Sequence, residues 1–325
     1  MCFQQNKCNA WISLHSVGIP AEGCVKDLSW VPPFHSSQMG HTYINLPNKR
    51  LLCTDVIAHG QFGQIDVALY QTPTEKKEVY VKKPILTESL LHEACIQKLV
   101  GESLATIGFP LGAPPLVTVF SLYNGSVCFA MDPVPGAVTL DRFLQAASVH
   151  NMPTIIIDCL LQLCGMLCHL HSHLGLNHRD LKPSNFLIRE HEPMMKRFIV
   201  DGEPLEIYSR YSLTIIDFGF ACIGSGDKTD VSLSTVYSVT DRCPKEGRDL
   251  FLFLGLLYLD FHAKLPPTLR ELFEVWTNPS ICAFMRKNKE YSMQWLYFMA
   301  GNERIQRFPC TPSRIVRDLM MLQHH

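Results

Sequence analysis

The sequence has almost no charge of one sign to spare: 29 Lys and Arg stand against 30 Asp and Glu, a net charge of −1 at pH 7 over 325 residues. Without a global basic field, binding to nucleic acid or to an anionic membrane surface is not expected. The paired short spacings of zinc sites and disulfide scaffolds are missing as well, since the 13 cysteines are odd in number and scattered. That usage predicts a reducing compartment, cytoplasmic or nuclear. Cys164 and Cys168 lie one helical turn apart in an apolar run, and they read as buried thiols of a core helix rather than as metal ligands. The 14 histidines show no metal-ligand spacing. The start, Met1-Cys2-Phe3-Gln4-Gln5, has no basic segment leading into an apolar core, so a secretory signal is not expected. Nor is there a run of about 18 apolar residues free of charge, so no membrane span is expected.

What is present is a globular composition, 47% hydrophobic and 18% charged, which supports a sizeable core. The length suits one large domain or two ordinary ones. Residues 1–45 mix Pro, Ser, His and Cys with short apolar clusters such as Trp30-Val31-Pro32-Pro33-Phe34, and they read as an extension. From 46 to 132 short β-like runs dominate, at 51–58, 63–70, 78–83, 115–121 and 126–131, with one helical stretch at 87–100. From about 139 the pattern is mainly helical, with 153–174 and 247–264 as the longest apolar-periodic segments. The change falls at Asp132-Pro133-Val134-Pro135-Gly136, a Pro/Gly-rich hinge that separates 46–132 from 133–325.

The most specific string is His178-Arg179-Asp180-Leu181-Lys182-Pro183-Ser184-Asn185. It resembles the catalytic loop of the eukaryotic-type protein kinase superfamily, departing at Ser184, where Glu is common. Transfer of a γ-phosphoryl group asks little covalent work of a protein and much positioning and charge stabilisation. The resemblance therefore implies that Asp180 orients the acceptor hydroxyl, Lys182 offsets charge on the transferring phosphate, and Asn185 holds Mg²⁺. Lys182 also favours a serine/threonine kinase over a tyrosine-specific one or a small-molecule kinase. Downstream, Leu213-Thr214-Ile215-Ile216-Asp217-Phe218-Gly219 is a β-like run ending in Asp-Phe-Gly, which makes Asp217 the second Mg²⁺ ligand. The interval from Asp180 is longer than usual for the family. Its excess, 190–212, has Asp201-Gly202 between two apolar runs, which predicts an inserted β-hairpin.

Nearer the start, Ile57-Ala58-His59-Gly60-Gln61-Phe62-Gly63-Gln64-Ile65 resembles the glycine-rich phosphate loop, with Ala58 in place of the first glycine. Small residues there let backbone N–H groups approach phosphates closely. In Val79-Tyr80-Val81-Lys82-Lys83 the resemblance implies a lysine that holds the ATP phosphates. Lys82 is preferred, although it puts Tyr80 where the family has a small residue on the same face, an objection that Lys83 would avoid. The partner carboxylate is Glu93, with Glu88 as the alternative and Thr87 as the helix cap. Met131 is assigned as gatekeeper and Val134 to the adenine edge.

Arg179 usually marks a kinase whose activation loop is ordered by a phosphate paired with that guanidinium. Ser232, Ser234, Thr235 and Thr240 are candidate acceptors, and ordering without modification is the alternative. No Ala-Pro-Glu closes this loop, whereas Gly247-Arg248-Asp249-Leu250 resembles the next family landmark, in which Asp249 anchors the catalytic-loop backbone. The expected fold is thus α+β and bilobal, with a β-rich lobe, a helical lobe, and ATP and Mg²⁺ in the cleft. The expected function is transfer of phosphate to a protein substrate. The alternative is a pseudokinase or scaffold, to which the missing Ala-Pro-Glu points. The compact form, with an insert and a trimmed docking region, is similar to kinases carried by large DNA viruses acting in a host cell. Oligomeric state has no sequence signal.

Overall fold

β-branched and aromatic runs bounded by Gly, Pro and Asn build an antiparallel sheet in the computed structural model of the chain, which describes residues 42–46, 49–60, 63–85, 90–122, 126–225, 229–232 and 241–323. The chain divides into two units, the first reaching Glu102 and including Ala113–Pro135, the second made of Ser103–Gly112 and the chain from Gly136 onward. The excursion of Ser103–Gly112 into the second unit has no counterpart in the sequence boundaries.

In the first unit the strands are β1 (Thr42–Leu46), β2 (Lys49–His59), β3 (Gly63–Gln71), β4 (Lys76–Pro84), β5 (Leu116–Ser121) and β6 (Val127–Met131), with helix α1 (Leu91–Ala105) between β4 and β5. The sheet order is β1-β2-β3-β4-β6-β5. β1 pairs with β2 from Thr42 to Leu46, so the sheet takes in residues that the sequence pattern left in the extension; residues 1–41 lie outside those described. Period-2 alternation on β4 decides what each face does. Val79 and Val81 enter one cluster with Leu51, Ala68, Tyr70 and Phe120. Tyr80 packs on the other, with Leu90, Leu91, Ala94, Phe129 and Met131. Lys82 therefore shares the face that carries α1, because it is two residues on from Tyr80. Thr87 and Glu88 lie outside the described residues, so the cap and the alternative carboxylate proposed for α1 have no structural account here.

The second unit comprises β7 (Val138–Thr139), α2 (Leu140–Ala146), α3 (Met152–Leu174), β8 (Leu176–Asn177), β9 (Phe186–Val200), β10 (Glu203–Ile215), β11 (Cys222–Gly224), β12 (Thr229–Ser232), α4 (Arg248–Phe261), α5 (Pro267–Thr277), α6 (Pro279–Lys287), α7 (Lys289–Gly301) and α8 (Pro312–Gln323). Pro153 in its first turn and Gly175 just past its end, at φ 63°, bound α3, the usual asymmetry of start and stop residues. By length and composition alone α3 could cross a membrane, and 67% of its apolar window is buried within the protein. Asp158 is what keeps it from being a charge-free run, and that carboxylate accepts bonds from Ser209 Oγ (2.7 Å) and Gln162 Nε2 (2.6 Å) inside the unit.

The hairpin predicted at 190–212 is present, but as a continuous extension of β9 and β10 rather than a separate element. Asp201 (φ 50°) and Gly202 (φ 88°) both take positive φ, as a two-residue type I′ turn requires. The pair runs from Glu203↔Val200 back to Ile215↔Phe186, with one irregularity near Ser209. Phe198 lies against Gly165 of α3, where a Cβ would approach its ring to 2.7 Å. Lys196 is buried beneath the hairpin and donates to Gln162 Oε1 (2.7 Å), Ser212 Oγ (3.2 Å) and the Tyr211 carbonyl. Burial disfavours its charged form and lowers its pKa to about 8.

One cysteine pair departs from the expectation of free thiols: Cys222 and Cys243 are joined by a disulfide. Their separation of 21 residues gives none of the short-spacing signal that sequence reading relies on. Cys159 and Cys164 are buried free thiols of α3, and Cys168, further along it, is free and half-buried. Among the described residues no group of three or more His, Cys, Asp or Glu side chains could hold a metal ion.

Candidate active site

In the first unit, register decides which lysine meets which carboxylate. Ile65 pairs with Lys82 and Gln64 with Lys83 across β3 and β4, so the two lysines leave opposite faces of the sheet. Lys82 Nζ reaches Glu93 Oε1, in the first turn of α1, at 2.5 Å. Lys83 turns instead to Asp66, and that bond raises its pKa against the lowering effect of burial. Of the two lysines, Lys82 has the helix carboxylate and Lys83 does not. A Cβ on Gly63 would come within 3.0 Å of Lys82 Cε and 3.1 Å of the Lys83 carbonyl, which is the physical reason for glycine there. Gly60 N–H donates to the Gly63 carbonyl at 2.8 Å. Of the other assigned residues, Ile65 is half-buried against the α1 cluster, Met131 is buried in it, and Ile57 is exposed. Val134 is half-buried, beyond the end of β6.

In the second unit the loop after β8 is held from below by one carboxylate. Asp249, in the first turn of α4, accepts the backbone N–H of His178 on Oδ2 and that of Arg179 on Oδ1, both at 2.9 Å, and the Asn177 side-chain amide at 3.1 Å. Asn177 Oδ1 in turn accepts the Lys245 N–H at 2.6 Å. Arg179 sits at φ 65°, a region costly for a non-glycine residue, and these bonds offset that cost.

On this frame, Asp180 accepts from Lys182 Nζ (2.9 and 3.1 Å) and from Asn185 Nδ2 (2.9 Å). Asn185 Nδ2 also donates to the Asp180 carbonyl at 2.8 Å. With its amide nitrogen so engaged, Asn185 offers its amide oxygen to a cation. Asn185 directly precedes β9, and Asp217 follows Ile216, the first residue past β10. Phe186 pairs with Ile215, and Ile216 N–H donates to the Asn185 carbonyl at 3.0 Å. The ladder therefore sets Asn185 beside Ile216, the residue before Asp217, and the hairpin's length does not alter this because it grows from the opposite end. A carboxylate and an amide oxygen suit Mg²⁺, a hard cation that commonly takes one or two carboxylates together with substrate phosphates.

Three features carried no sequence signal. Asp241 is buried among Arg179 (3.1 Å), Lys245 (2.8 Å) and Arg248; burial, then the neighbouring Arg248, lower the Lys245 pKa. Arg179 thus has a carboxylate partner in the segment that sequence reading reserved for a phosphate. Tyr297, on α7, donates its hydroxyl to Asp180 Oδ1 from 117 residues away. The third is the disulfide at Cys222 and Cys243. Ser234, Thr235 and Thr240 lie outside the described residues; Ser232 belongs to β12, where only the backbone is described.

Residues 54–242, more than half of the chain, match the protein kinase domain family. The chain belongs to that family, with its mixed α+β kinase-like fold. Among curated relatives it is 42% identical over 75 residues to the serine/threonine-protein kinase ksp1 of Schizosaccharomyces pombe, covering 23% of this chain and 13% of that one. To calcium-dependent protein kinase 25 of Arabidopsis thaliana it is 27% identical over 178 residues, covering 54% and 30%. To serine/threonine-protein kinase 1 of Orgyia pseudotsugata multicapsid polyhedrosis virus it is 26% identical over 134 residues, covering 40% and 44%. The chain thus spans less than half the length of these relatives. Among solved structures it is similar to the BubR1 kinase domain, at a TM-score of 0.49 and 13% identity, covering 99% of this chain and 92% of that one.

Proposed function

We propose that the chain is a serine/threonine protein kinase that transfers the γ-phosphate of ATP to a protein hydroxyl. The observation that carries this reading is the Asp180 carboxylate, held by Lys182 and Asn185 on a loop whose backbone Asp249 fixes. A carboxylate so placed orients an acceptor hydroxyl and takes its proton, and Lys182 stabilises charge as the phosphoryl group moves. The Lys82–Glu93 pair grips the nucleotide phosphates, Gly60 and Gly63 give the close backbone approach, and Asn185 with Asp217 holds Mg²⁺. Bound Mg²⁺ supplies neutralisation of phosphate charge. Lys182 supports Ser or Thr as the acceptor class, and likeness to a baculovirus kinase over part of the chain supports a viral type.

The alternative is a nucleotide-binding scaffold, which the missing Ala-Pro-Glu favours. Transfer of labelled phosphate from ATP–Mg²⁺ to a generic protein, abolished by Asp180→Asn and by Lys82→Met, distinguishes the two. Metal-dependent nucleotide binding without transfer by the unaltered chain sinks the kinase reading.

A further inference from the structure

The hydroxyl of Tyr297 is bonded to Asp180 Oδ1, and on the kinase reading above Asp180 is the carboxylate that an acceptor hydroxyl meets. Two features of the second unit make this placement a built one. Leu296 and Ala300 of α7 are both buried. Leu296 seats on α4, where a Cβ on Gly255 would approach it to 2.8 Å. The seating fixes which way Tyr297, between them in sequence, leaves the helix. The end of α7 is also tied down, because Lys245 Nζ donates to the carbonyls of Ala300 (3.2 Å) and Asn302 (3.1 Å). Lys245 N–H is bonded to Asn177, whose amide meets Asp249. One network thus anchors both the helix that carries the phenol and the loop that carries the carboxylate.

We propose that Tyr297 is a phosphorylation site of this chain's own catalytic centre, modified within the same molecule. The proposal rests on the kinase reading above. In the step, Tyr297 Oη attacks the γ-phosphorus of ATP. The Oη–P bond forms and the bond to the β–γ bridging oxygen breaks. ADP leaves with that electron pair, the phenol proton passes to Asp180, and no oxidation state changes. A preference for Ser or Thr is a difference between acceptors arriving from solution. An acceptor already held on the carboxylate is outside that competition, since effective concentrations of well-oriented internal groups reach about 10⁵ M or more.

The test is peptide mapping of the full chain, first treated with phosphatase and then incubated with γ-labelled ATP and Mg²⁺ beside a generic protein substrate. The expected result is phosphate on Tyr297, appearing with a rate constant independent of protein concentration and lowered at least about a hundredfold by Asp180→Asn. The unaltered chain decides the matter without reliance on variants that fail to fold; Tyr297→Phe confirms the peptide assignment by losing its label. Label on the generic substrate with Tyr297 unmodified overturns the inference and leaves the kinase reading standing. A rate that rises with protein concentration overturns modification within one molecule. Label on neither overturns the kinase reading itself.

Discussion

Lys82 and Glu93 form an ion pair at 2.5 Å in which neither side chain is more than a tenth exposed. The pair joins β4 to α1 inside the first unit, so its loss affects stability, and on the proposed function it affects transfer too. Removing one partner of a buried pair costs about 3–5 kcal/mol, because the remaining charge is left without compensation. Lys82→Met should therefore lower stability by that order and lower phosphate transfer about a hundredfold or more. Lys82→Met/Glu93→Leu should recover most of the stability and none of the activity. Thermal unfolding alongside transfer assays reads both, and a double variant as unstable as the single one contradicts this account.

Asp249 takes two backbone N–H groups on separate oxygens. In Asp249→Asn one of those oxygens becomes an NH₂ group facing an N–H donor, so one loop bond is lost and a repulsion replaces it. Catalytic geometry displaced by about 1 Å can cost about a hundredfold. Steady-state kinetics should show that loss in kcat, with nucleotide affinity little changed. A drop in nucleotide affinity alone contradicts the anchoring role.

The Cys222–Cys243 disulfide closes a loop between residues 21 apart. By loop-closure entropy, such a crosslink stabilises by about 3 kcal/mol. A reductant, or Cys222→Ser/Cys243→Ser, should lower the Tm by several degrees. Thiol titration of the unfolded chain should count two more reactive groups after reduction than before. An unchanged thiol count means that the bond does not form in solution.

Lys196 has a pKa lowered to about 8 by burial, against about 10.4 for the unfolded chain. Between those values the unfolded chain binds the extra proton, so the contribution of Lys196 to stability rises with pH and is complete above about 10.5, while the cost of burying its charge is carried below about 8. The gain is on the order of 3 kcal/mol. Buried thiols act oppositely: Cys95, Cys128, Cys282 and Cys310 are pushed up to about 12 by desolvation and withdraw stability as pH rises past the unfolded thiol value. The informative measurement is the difference between the unaltered chain and Lys196→Met. That difference should shift in favour of the unaltered chain as pH rises from 8 to 10.5, and a flat difference contradicts the assignment.

The strands at 63–71 and 127–131, α3 and α4 were all legible because their signals are local. Period-2 alternation, a β-to-α change of period and the Pro and Gly at the ends of α3 depend on neighbours in sequence. The strings at 178–185 and 217–219 were legible because the protein kinase family repeats those residue types at those spacings. Asp201-Gly202 announced a turn, since few other dipeptides take two consecutive positive φ values without strain. The sequence could not show that this hairpin continues the β9–β10 pair beyond a register shift near Ser209, which is a property of the ladder.

Residue types and their spacing along the chain thus determined the family resemblance and the β-rich and helical segments, and singled out Asp180, Lys182, Asn185 and Asp217 as the proposed site residues. Tertiary structure alone decided that Lys82 rather than Lys83 meets Glu93, that Asp241 lies among Arg179, Lys245 and Arg248, that Cys222 bonds Cys243, and that Tyr297 reaches Asp180. The reason is physical. Local patterns record the conformational preference of each segment, whereas these pairings depend on strand register and helix seating, which appear only when distant segments bury their apolar faces together.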